Sequence, residues 1–398
     1  MRILWITPKW TLPVTDGARV ATDSLIRNVI RMGALVDYWA LSNHEDRPDP
    51  EFMVNHWGVQ EATYSARSLP SQALDKKIYY LKKFVTSPTR PLTFSSFSDK
   101  NFVTELKKKL HHQDYDFIVL DGLHLGVLVE KLPTEILKKV IYRAHNIEAD
   151  LWKKSFEAAK NPLLKTLFWT QFKLVESFEN SLLRKVRGVA AISQEDFDVI
   201  KNINSSLTLV PLGLKFKDFI PPQSASFTEY IFVGRLDWPP NKDGLKWLLD
   251  EVWPEVIKRR SDVRLTIYGS GDRQWLESYR SLPQVEIKGF VQSIAEAYKG
   301  AHFTLVPVFY GSGTRIKVIE SFSFARRLVS TEMGVQGANL KASDYILAQT
   351  REEWIAQLAQ LRYDALDFDK LLESRKRIAD EFDEACIGER FYQWLKSL

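Results

Sequence analysis

The chain has 398 residues, of which 45% are hydrophobic and 26% are charged, and its formal net charge is +5. This composition is typical of a globular protein, and the length exceeds what one ordinary core accommodates, so we expect two domains. No apolar run reaches the ~20 residues of a bilayer-spanning helix, and the single cysteine, Cys386, excludes an internal disulfide, which fits a reducing cytoplasm.

The first residues alternate between strand and helix patterns. Residues 2–7 (RILWIT) predict a strand rather than a signal peptide, residues 18–32 predict an amphipathic helix, and residues 36–41 predict a second strand. Asp16 and Gly17 end the loop before the helix. This loop lacks the G-x-G-x-x-G fingerprint, which argues against a dinucleotide-dependent dehydrogenase. The order strand, helix, strand predicts the start of a parallel α/β sheet.

Residues 43–60 carry charges and prolines and predict a loop, whereas residues 74–85 (LDKKIYYLKKFV) predict an amphipathic helix with four lysines and two tyrosines. A basic aromatic helix of this kind can lie on an anionic membrane. The alternative is a surface helix that packs through Ile78, Leu81 and Phe84. The sequence leaves both interpretations open.

Polar residues follow two further predicted strands, at 117–120 and 140–143. Ligand groups of parallel α/β sheets lie at the carboxyl ends of the strands. The residues in these positions are His124, His145, Asn146 and Glu148. A lone histidine is more often structural, so a structural role for His145 stays open beside a functional one.

The chain then predicts one or two helices over 151–186, a strand at 189–192 and a strand at 207–210. Two prolines and small polar residues within 216–227 predict a linker. A second strand and helix repeat follows it. Its predicted strands begin near residues 230, 264, 285, 302, 328 and 345, its helices cover 244–259, 273–281 and 293–299, and the last helices run from about 371 to 398.

One glycine loop stands between the strand at 302–309 and the next helix. Gly311, Ser312 and Gly313 form the loop, and Arg315 and Lys317 open the helix. Bare amides and the positive end of the helix dipole at such a junction suit phosphate. Cations are unfavourable in a first helical turn unless an anion binds there. The plainer alternative is a turn followed by an exposed pair between Lys317 and Glu320.

The segment PVFYGSGTRIKVIESFSFARRLVST, residues 307–331, strongly resembles the donor-binding signature of family-4 glycosyltransferases with the GT-B fold. In that family the helix after the glycine loop holds the diphosphate of a nucleotide sugar, and a glutamate matching Glu320 holds the ribose. The common motif has a second glutamate before it, at the position of Ser312. The resemblance covers nearly the whole chain and includes YIFVGRLDW (230–238) and RAHNIEADLW (143–152).

The resemblance implies a role for each matching residue. His145, Arg235 and Lys317 are the implied catalytic residues: a histidine near the donor sugar, and two cations on the diphosphate, with Lys317 replacing the family lysine that Lys242 matches imperfectly. The implied donor-binding residues are Gly17, Gly234, Arg235, Gly269, Phe290, Gly311, Ser312, Gly313, Thr314, Arg315, Ile316, Lys317 and Glu320. The implied acceptor-binding residues are Asp16, His124, Asn146 and Glu148.

The predicted fold is therefore α/β of the GT-B class, with two doubly wound Rossmann-like domains facing a cleft. We expect an acceptor domain at 1–214, completed by a C-terminal helix at 380–398, a linker at 215–228 and a donor domain at 229–379. The resemblance implies a retaining glycosyltransferase that takes a UDP- or GDP-sugar and transfers it to a glycan or lipid-linked acceptor in bacterial polysaccharide, lipopolysaccharide or glycolipid synthesis. We expect a cytoplasmic protein, with a possible contact at the inner face of the membrane.

Two alternatives remain open from the sequence: a nucleotide-sugar epimerase, and a degenerate nucleotide-sugar binding protein that has lost catalysis. We expect no cofactor and no metal site. Three Asp-x-Asp triplets, beginning at Asp114, Asp196 and Asp367, do not lie where a metal-binding triplet would be expected, and no clustered histidine pattern occurs. Nucleic-acid binding is not expected either, because no basic and aromatic motif of a known module occurs.

Overall fold

The structure is a computed structural model, and it describes residues 1–14, 17–42, 48–66, 73–97, 100–216, 226–311, 314–362 and 368–398. Three predicted site residues, Asp16, Ser312 and Gly313, lie outside the described residues, as does most of the predicted linker. The chain divides into two compact units. Unit 1 comprises Met1–Gly213 with Ile387–Leu398, and unit 2 comprises Leu214–Cys386.

Unit 1 alternates strands with helices through most of its length. Its elements are β1 (Arg2–Thr7), α1 (Gly17–Arg31), β2 (Leu35–Ser42), α2 (Pro50–Trp57), β3 (Glu61–Ala66), α3 (Ala73–Thr86), α4 (Lys100–His112), β4 (Phe117–Asp121), α5 (Thr134–Leu137), β5 (Val140–Ala144), α6 (Glu148–Ala158), α7 (Pro162–Lys185), β6 (Gly188–Ala191), α8 (Gln194–Ile200) and β7 (Leu207–Leu209). Two 3₁₀ segments, Leu92–Phe97 and Leu123–Lys131, lie between these elements.

Unit 2 repeats the same alternation. Its elements are β8 (Thr228–Val233), α9 (Pro239–Trp247), α10 (Trp253–Arg259), β9 (Val263–Tyr268), β10 (Val285–Gly289), α11 (Ile294–Lys299), β11 (Phe303–Val306), α12 (Ile316–Ser323), β12 (Arg327–Ser330), α13 (Glu332–Val335), β13 (Tyr345–Leu347), α14 (Arg351–Gln360), α15 (Phe368–Phe382) and the start of α16 (Glu384–Ser397). A π-helical turn, Leu248–Val252, joins α9 to α10, and a 3₁₀ segment, Gln274–Tyr279, follows β9.

Each unit contains one fully parallel sheet. The strand order is β3-β2-β1-β4-β5-β6-β7 in unit 1 and β10-β9-β8-β11-β12-β13 in unit 2. The order reverses between β1 and β4 in the first sheet and between β8 and β11 in the second. Ligands of open α/β sheets bind beyond the carboxyl ends of the strands at such switch points. The predicted fold class, two doubly wound Rossmann-like domains, is confirmed.

Strand β1 shows why the sheets form where the sequence predicts them. Its side chains from Ile3 to Ile6 are all fully buried. Leu4 and Ile6 belong to the core on one face of the sheet, whereas Ile3 and Trp5 belong to the core on the other. Continuous apolar runs of this kind are typical of parallel strands that are covered by helices on both faces.

The final helix packs on unit 1. Ile387, Phe391 and Leu395 of α16 lie in the core formed with β1 and β2, and the ring of Phe391 stands 5.9 Å from that of Trp5. The sequence placed the beginning of this returning segment at residue 380. The structure assigns α15 up to Phe382 to unit 2 and the chain from Ile387 onward to unit 1.

Three predicted elements differ from the structure. Part of the expected loop at 43–60 is helix α2, which Asp49 caps by accepting a hydrogen bond from the backbone N–H of Phe52. The helix expected at 244–259 begins five residues earlier, at Pro239, because proline fits the first helical position, where no N–H is needed. The helix expected at 273–281 is only a short 3₁₀ turn.

Within the described ranges, no helix combines the length and hydropathy needed to cross a membrane.

Candidate functional site

The switch point of unit 2 brings together the glycine loop and the end of β8. Gly234 and Arg235 follow β8, while the segment after β11 leads through Gly311 into α12. Helix α9 runs close beneath this edge: a β-carbon on Gly244 would lie 1.6 Å from the carbonyl oxygen of Pro307. Only glycine allows the helix to approach the strand end so closely. The sequence therefore folds three separate segments onto one edge of the sheet.

Lys317 is the buried cation of this site. Its side chain is only 6% exposed, and its ammonium donates to Oδ1 of Asn241 over 2.7 Å and lies 4.2 Å from the centroid of the Phe232 ring. Burial lowers the pKa of Lys317 to about 7; Glu320 opposes this change and Arg315 adds to it. The alternative interpretation, an exposed pair between Lys317 and Glu320, is therefore wrong, because Lys317 is buried. An ammonium held in this way gains most from an anion bound beside it.

Asn241 fixes the position of that ammonium, and sequence reasoning missed it. Its amide Nδ2 donates to the carbonyl oxygen of Arg235 over 2.9 Å while its Oδ1 accepts from Lys317. The side chain is buried, and a β-carbon on Gly234 would lie 2.7 Å from its Nδ2. The two bonds determine the orientation of the amide and join α9, the end of β8 and α12. Lys242, the imperfect family match, instead places its ammonium 5.7 Å from the Trp275 ring.

We expect Asn241→Asp to raise the pKa of Lys317 by about one to three pH units, because a carboxylate would replace the amide oxygen against the ammonium. Titration of isotope-labelled lysine side chains by NMR measures this directly. Lys246→Gln changes the net charge by the same amount at an exposed position of α9, and it should leave the pKa of Lys317 unchanged. A Lys317 titration that stays near its wild-type midpoint in Asn241→Asp would contradict the assigned contact.

Glu320 is held from behind by Tyr298. The phenol of Tyr298 donates to Oε2 of Glu320 at 3.4 Å and lies 3.3 Å from the carbonyl oxygen of Lys317. The tyrosine is fully buried, and its ring stacks on Phe324 with the centroids 4.8 Å apart. Burial raises the pKa of Glu320 to about 7, while Tyr298 and Lys317 act in the opposite direction. The half-buried carboxyl group thus lies within one turn of the cation.

Two arginines flank this pair in different environments. Arg315 is buried and occupies the N-cap position of α12, one residue earlier than the sequence suggested, and burial lowers its pKa. Arg235 is 58% exposed and forms two hydrogen bonds to Asp237, with the shorter at 2.7 Å. An exposed ion pair of this type contributes little to stability, so Arg235 can exchange its partner for another anion at low cost.

The remaining predicted donor residues of unit 2 surround the same edge. Thr314 donates from its hydroxyl to the carbonyl oxygen of Gly337, which anchors the end of the glycine loop, and Ile316 is the first residue of α12. Gly311 has a φ of +118°, which a side chain would strain. A β-carbon on Gly269 would lie 1.9 Å from the carbonyl oxygen of Gly234, so glycine is required where the two strand ends meet. Phe290 follows β10 and is 67% exposed.

Unit 1 carries a second group of charges at its own switch point. Asp121, the last residue of β4, is buried and accepts from Nη1 of Arg143 at 2.9 Å and from the Thr22 hydroxyl at 2.7 Å. It also accepts from the indole of Trp5 at 3.1 Å and contacts Nε2 of His145. Burial alone would raise the pKa of Asp121, but Arg143 and His145 hold it well below its ordinary value. The sequence predicted His145 but missed the buried ion pair beneath it.

These charges form the floor of a cavity of about 460 Å³ in unit 1. His145 lines it, and His124 lies on its wall between the rings of Phe94 and Phe97, with centroids 5.0 and 5.1 Å away. Gly17 begins α1, whose first turns form another part of the wall. The complete lining is Thr7, Pro8, Lys9, Thr11, Ala18, Arg19, Thr22, Tyr80, Thr93, Phe97, Asp121, Gly122, His124, His145, Asn146 and Glu148. Three predicted acceptor residues, His124, Asn146 and Glu148, thus share one cavity.

Glu148 lies in the first turn of α6, and burial raises its pKa. Behind it, the carboxylate of Glu179 accepts hydrogen bonds from the backbone N–H groups of Glu148 and Ala149, both at 3.1 Å. Burial raises the pKa of Glu179 to about 7, although those two amides oppose the change. Glu179 on α7 thus supplies the cap that α6 lacks locally, and it fixes where Glu148 enters the cavity.

The fold matches that of solved glycosyltransferases. Sucrose-phosphate synthase from Thermosynechococcus elongatus superimposes with a TM-score of 0.69 at 17% identity, over 100% of this chain and 99% of the other. HepE from Anabaena in complex with UDP gives 0.63 at 14% identity over 100% of both chains. The lipopolysaccharide outer core galactosyltransferase WaaB gives 0.62 at 12% identity, over 100% of this chain and 99% of that one. The fold of this chain is therefore the GT-B fold of glycosyltransferases.

The sequence of unit 2 is similar to one family of glycosyltransferases. Residues 228–364, about a third of the chain, match the family model described as "Glycosyl transferases group 1". An uncharacterized 44.6 kDa protein in the cps region of Klebsiella pneumoniae is 22% identical over 259 residues. That match covers 62% of this chain and 65% of the Klebsiella protein, which is just under two thirds of its length.

Proposed function

We propose that this protein transfers a sugar from a nucleotide-diphosphate sugar to a hydroxyl acceptor with retention of the anomeric configuration. The observation that carries the proposal is the buried ammonium of Lys317, fixed by Asn241 at the switch point of a group 1 glycosyltransferase domain. Breaking the bond between the sugar and the diphosphate develops negative charge on the leaving phosphate. A preorganised cation in a water-excluded position stabilises that charge.

In this proposal Lys317, Arg315 and Arg235 neutralise the diphosphate, and Glu320 accepts hydrogen bonds from the ribose hydroxyls. The three cations supply the charge that a metal ion provides in other transferases, so we propose a metal-independent reaction. The leaving phosphate assists the acceptor hydroxyl on the same face of the sugar, and no enzyme nucleophile is assigned. One solved relative in fold, HepE, is in complex with UDP in one structure and with UDP-glucose in another, which favours a uridine nucleotide as the donor.

We assign the acceptor to the cavity of unit 1, with His124, Asn146 and Glu148 as its contacts and His145 as the residue that contacts the reacting substrate. WaaB acts on lipopolysaccharide outer core and the Klebsiella relative lies in a cps region, so we propose a glycan or lipid-linked acceptor of bacterial polysaccharide or lipopolysaccharide synthesis. We propose that the enzyme acts on such acceptors in the cytoplasm, at the inner face of the membrane.

A nucleotide-sugar epimerase is the second candidate, since it would use the same donor site. It requires acid and base groups beside the sugar, and Glu320 and Lys317, each with a pKa of about 7, favour it. Transfer of radiolabelled sugar to an added acceptor separates a transferase from an epimerase. A binding protein without catalysis would turn over neither donor nor acceptor.

The first experiment is a thermal-shift screen of the wild type and Glu320→Ala against UDP, GDP, ADP and their sugar conjugates. A nucleotide at 100 times its dissociation constant should stabilise the wild type by about 2.7 kcal/mol. We expect a shift with a uridine nucleotide that is largely lost in Glu320→Ala. Glu296→Ala removes an exposed carboxylate from α11 and should keep the full shift. No shift with any nucleotide would contradict the proposal.

A further inference from the structure

Helices α6 and α7 form an antiparallel hairpin whose far end has no buried residue. From Asp150 to Thr170 every side chain is half-buried or exposed, whereas the later part of α7 is anchored in the core through Val175 and Leu182. The rings of Trp152 and Phe168 lie 6.1 Å apart and join the two helices. We call residues 153–170 the hairpin tip. It is a projecting structure, not a covered part of the unit 1 core.

The turn of the hairpin tip is well formed even though it is exposed. Asn161 caps α7 by accepting from the backbone N–H groups of Leu163 and Leu164, at 2.9 and 3.3 Å. Pro162 occupies the first helical position, which suits a defined helix start. The tip therefore presents a fixed surface.

That surface is apolar in its centre. Leu163 is 82% exposed, Leu164 is 47% exposed and Trp169 is 49% exposed. Trp169 also lines a shallow cavity of about 310 Å³ with Phe156, Pro162, Lys165 and Thr166. A soluble monomer rarely leaves several large apolar side chains exposed together unless they contact a partner.

Lysines surround the apolar residues. The hairpin tip contains four lysines, Lys153, Lys154, Lys160 and Lys165, and a single acidic residue, Glu157. All four lysines are exposed, and the ammonium of Lys165 lies 5.2 Å from the centroid of the Phe156 ring. Long lysine side chains keep their charge in water while their stems cover apolar surface. Tryptophan is likewise favoured at a membrane interface.

We propose that the hairpin tip is a docking surface for an anionic lipid bilayer. Leu163, Leu164 and Trp169 enter the interface, and the surrounding lysines contact the anionic headgroups. Four lysines against one glutamate around an apolar centre favour an anionic lipid surface over a protein groove. This surface lies on α6 and α7, so it is independent of the nucleotide chemistry proposed for unit 2.

The test is sedimentation of the full chain with vesicles of phosphatidylcholine alone and of phosphatidylcholine mixed equally with phosphatidylglycerol. We expect binding only to the anionic vesicles, and weaker binding as salt is added. Lys153→Gln with Lys165→Gln should lower the partition coefficient about 25-fold, since each lysine near an anionic surface contributes roughly fivefold. Leu163→Ser with Trp169→Ser should abolish binding, although it leaves the net charge unchanged.

The matched control is Lys107→Gln with Lys108→Gln, which removes the same charge from exposed positions of α4. It should bind as the wild type does, apart from a small general effect of net charge. An equal loss in this control, or no binding to anionic vesicles at low salt, would overturn the proposal. So would lipid-free self-association in the ultracentrifuge that Leu163→Ser with Trp169→Ser abolishes, because a second copy of the chain would then cover the tip.

Discussion

Lys317→Met is expected to lower the rate of sugar transfer about 10²- to 10³-fold, the typical cost of removing one preorganised group that stabilises developing negative charge. Methionine keeps most of the side-chain volume beside Phe232 and Asn241 but removes the ammonium. The free energy of unfolding should be unchanged or higher in the variant, because burial of this cation opposes folding, as its lowered pKa indicates. Activity and stability thus change in different directions.

The same variant should change how nucleotide affinity depends on pH. Free Lys317 has a pKa of about 7, below its ordinary value of 10.5, and a bound diphosphate favours the protonated form. At a pH above the pKa of Lys317 in the free protein and below its pKa in the complex, nucleotide binding takes up a proton. The affinity of the wild type for the nucleotide should therefore fall about tenfold for each pH unit above 7. In Lys317→Met the affinity should be weaker at pH 7 and nearly constant above it. Isothermal titration calorimetry in buffers of different ionisation enthalpy measures the proton uptake.

Lys299→Met is the control for this experiment, because it removes an exposed lysine at the end of α11 in the same unit. It should retain the transfer rate and the pH dependence of the wild type. If Lys317→Met transfers sugar within threefold of the wild type while Arg235→Met does not, Lys317 is not the main anion-stabilising group. The exposed arginine would then take that role.

The elements of the fold were predictable where the signal is local. The buried run RILWIT and the helix that follows it occur where the sequence placed them, since strand and helix periodicity need only neighbouring residues. The helix after the glycine loop was also predicted, with Lys317 and Glu320 on it. Helix α9 shows the limit: its first turn contains two prolines, which local patterns assign to a loop, so the position of Asn241 on a helix is not predictable from them.

The groups that complete the two sites were not predictable, because they are far apart in the sequence. Asn241 meets Lys317 across 76 positions, and Thr22 meets Asp121 across 99. Nothing in the residues around Tyr298 signals that its phenol will reach Glu320 on another helix. Such contacts depend on strand order, which brings the ends of non-consecutive strands together. A search of every polar residue at a predicted strand end would have found Asp121 and Arg143, though not that the two form a buried ion pair.

Asp121→Asn is expected to destabilise unit 1 by about 3–5 kcal/mol, the usual cost of removing one partner of a buried ion pair. Arg143 would remain in the core with its Nη1 facing an amide, and its Nε and Nη2 atoms have no hydrogen-bond partner among the described residues. For a unit of this size the melting temperature should fall by roughly 10 °C. The double variant Asp121→Asn with Arg143→Met should recover most of the loss, since it leaves no uncompensated charge. Differential scanning calorimetry of the wild type, the two single variants and the double variant gives the coupling energy between Asp121 and Arg143.

The pH dependence of this loss follows from the sign of the pKa change. Asp121 has a folded pKa well below the ordinary 3.8, because Arg143 and His145 outweigh the opposing effect of burial. Its contribution is therefore present in full above pH 3.8 and is lost as the pH falls through the folded pKa. The difference between wild type and Asp121→Asn should be constant near neutral pH and shrink in strong acid. Asp114→Asn, at the exposed pair with Lys139, should cost much less, because solvent screens that pair. A loss in Asp121→Asn no larger than in Asp114→Asn would mean that the buried pair contributes no more to folding than an exposed one.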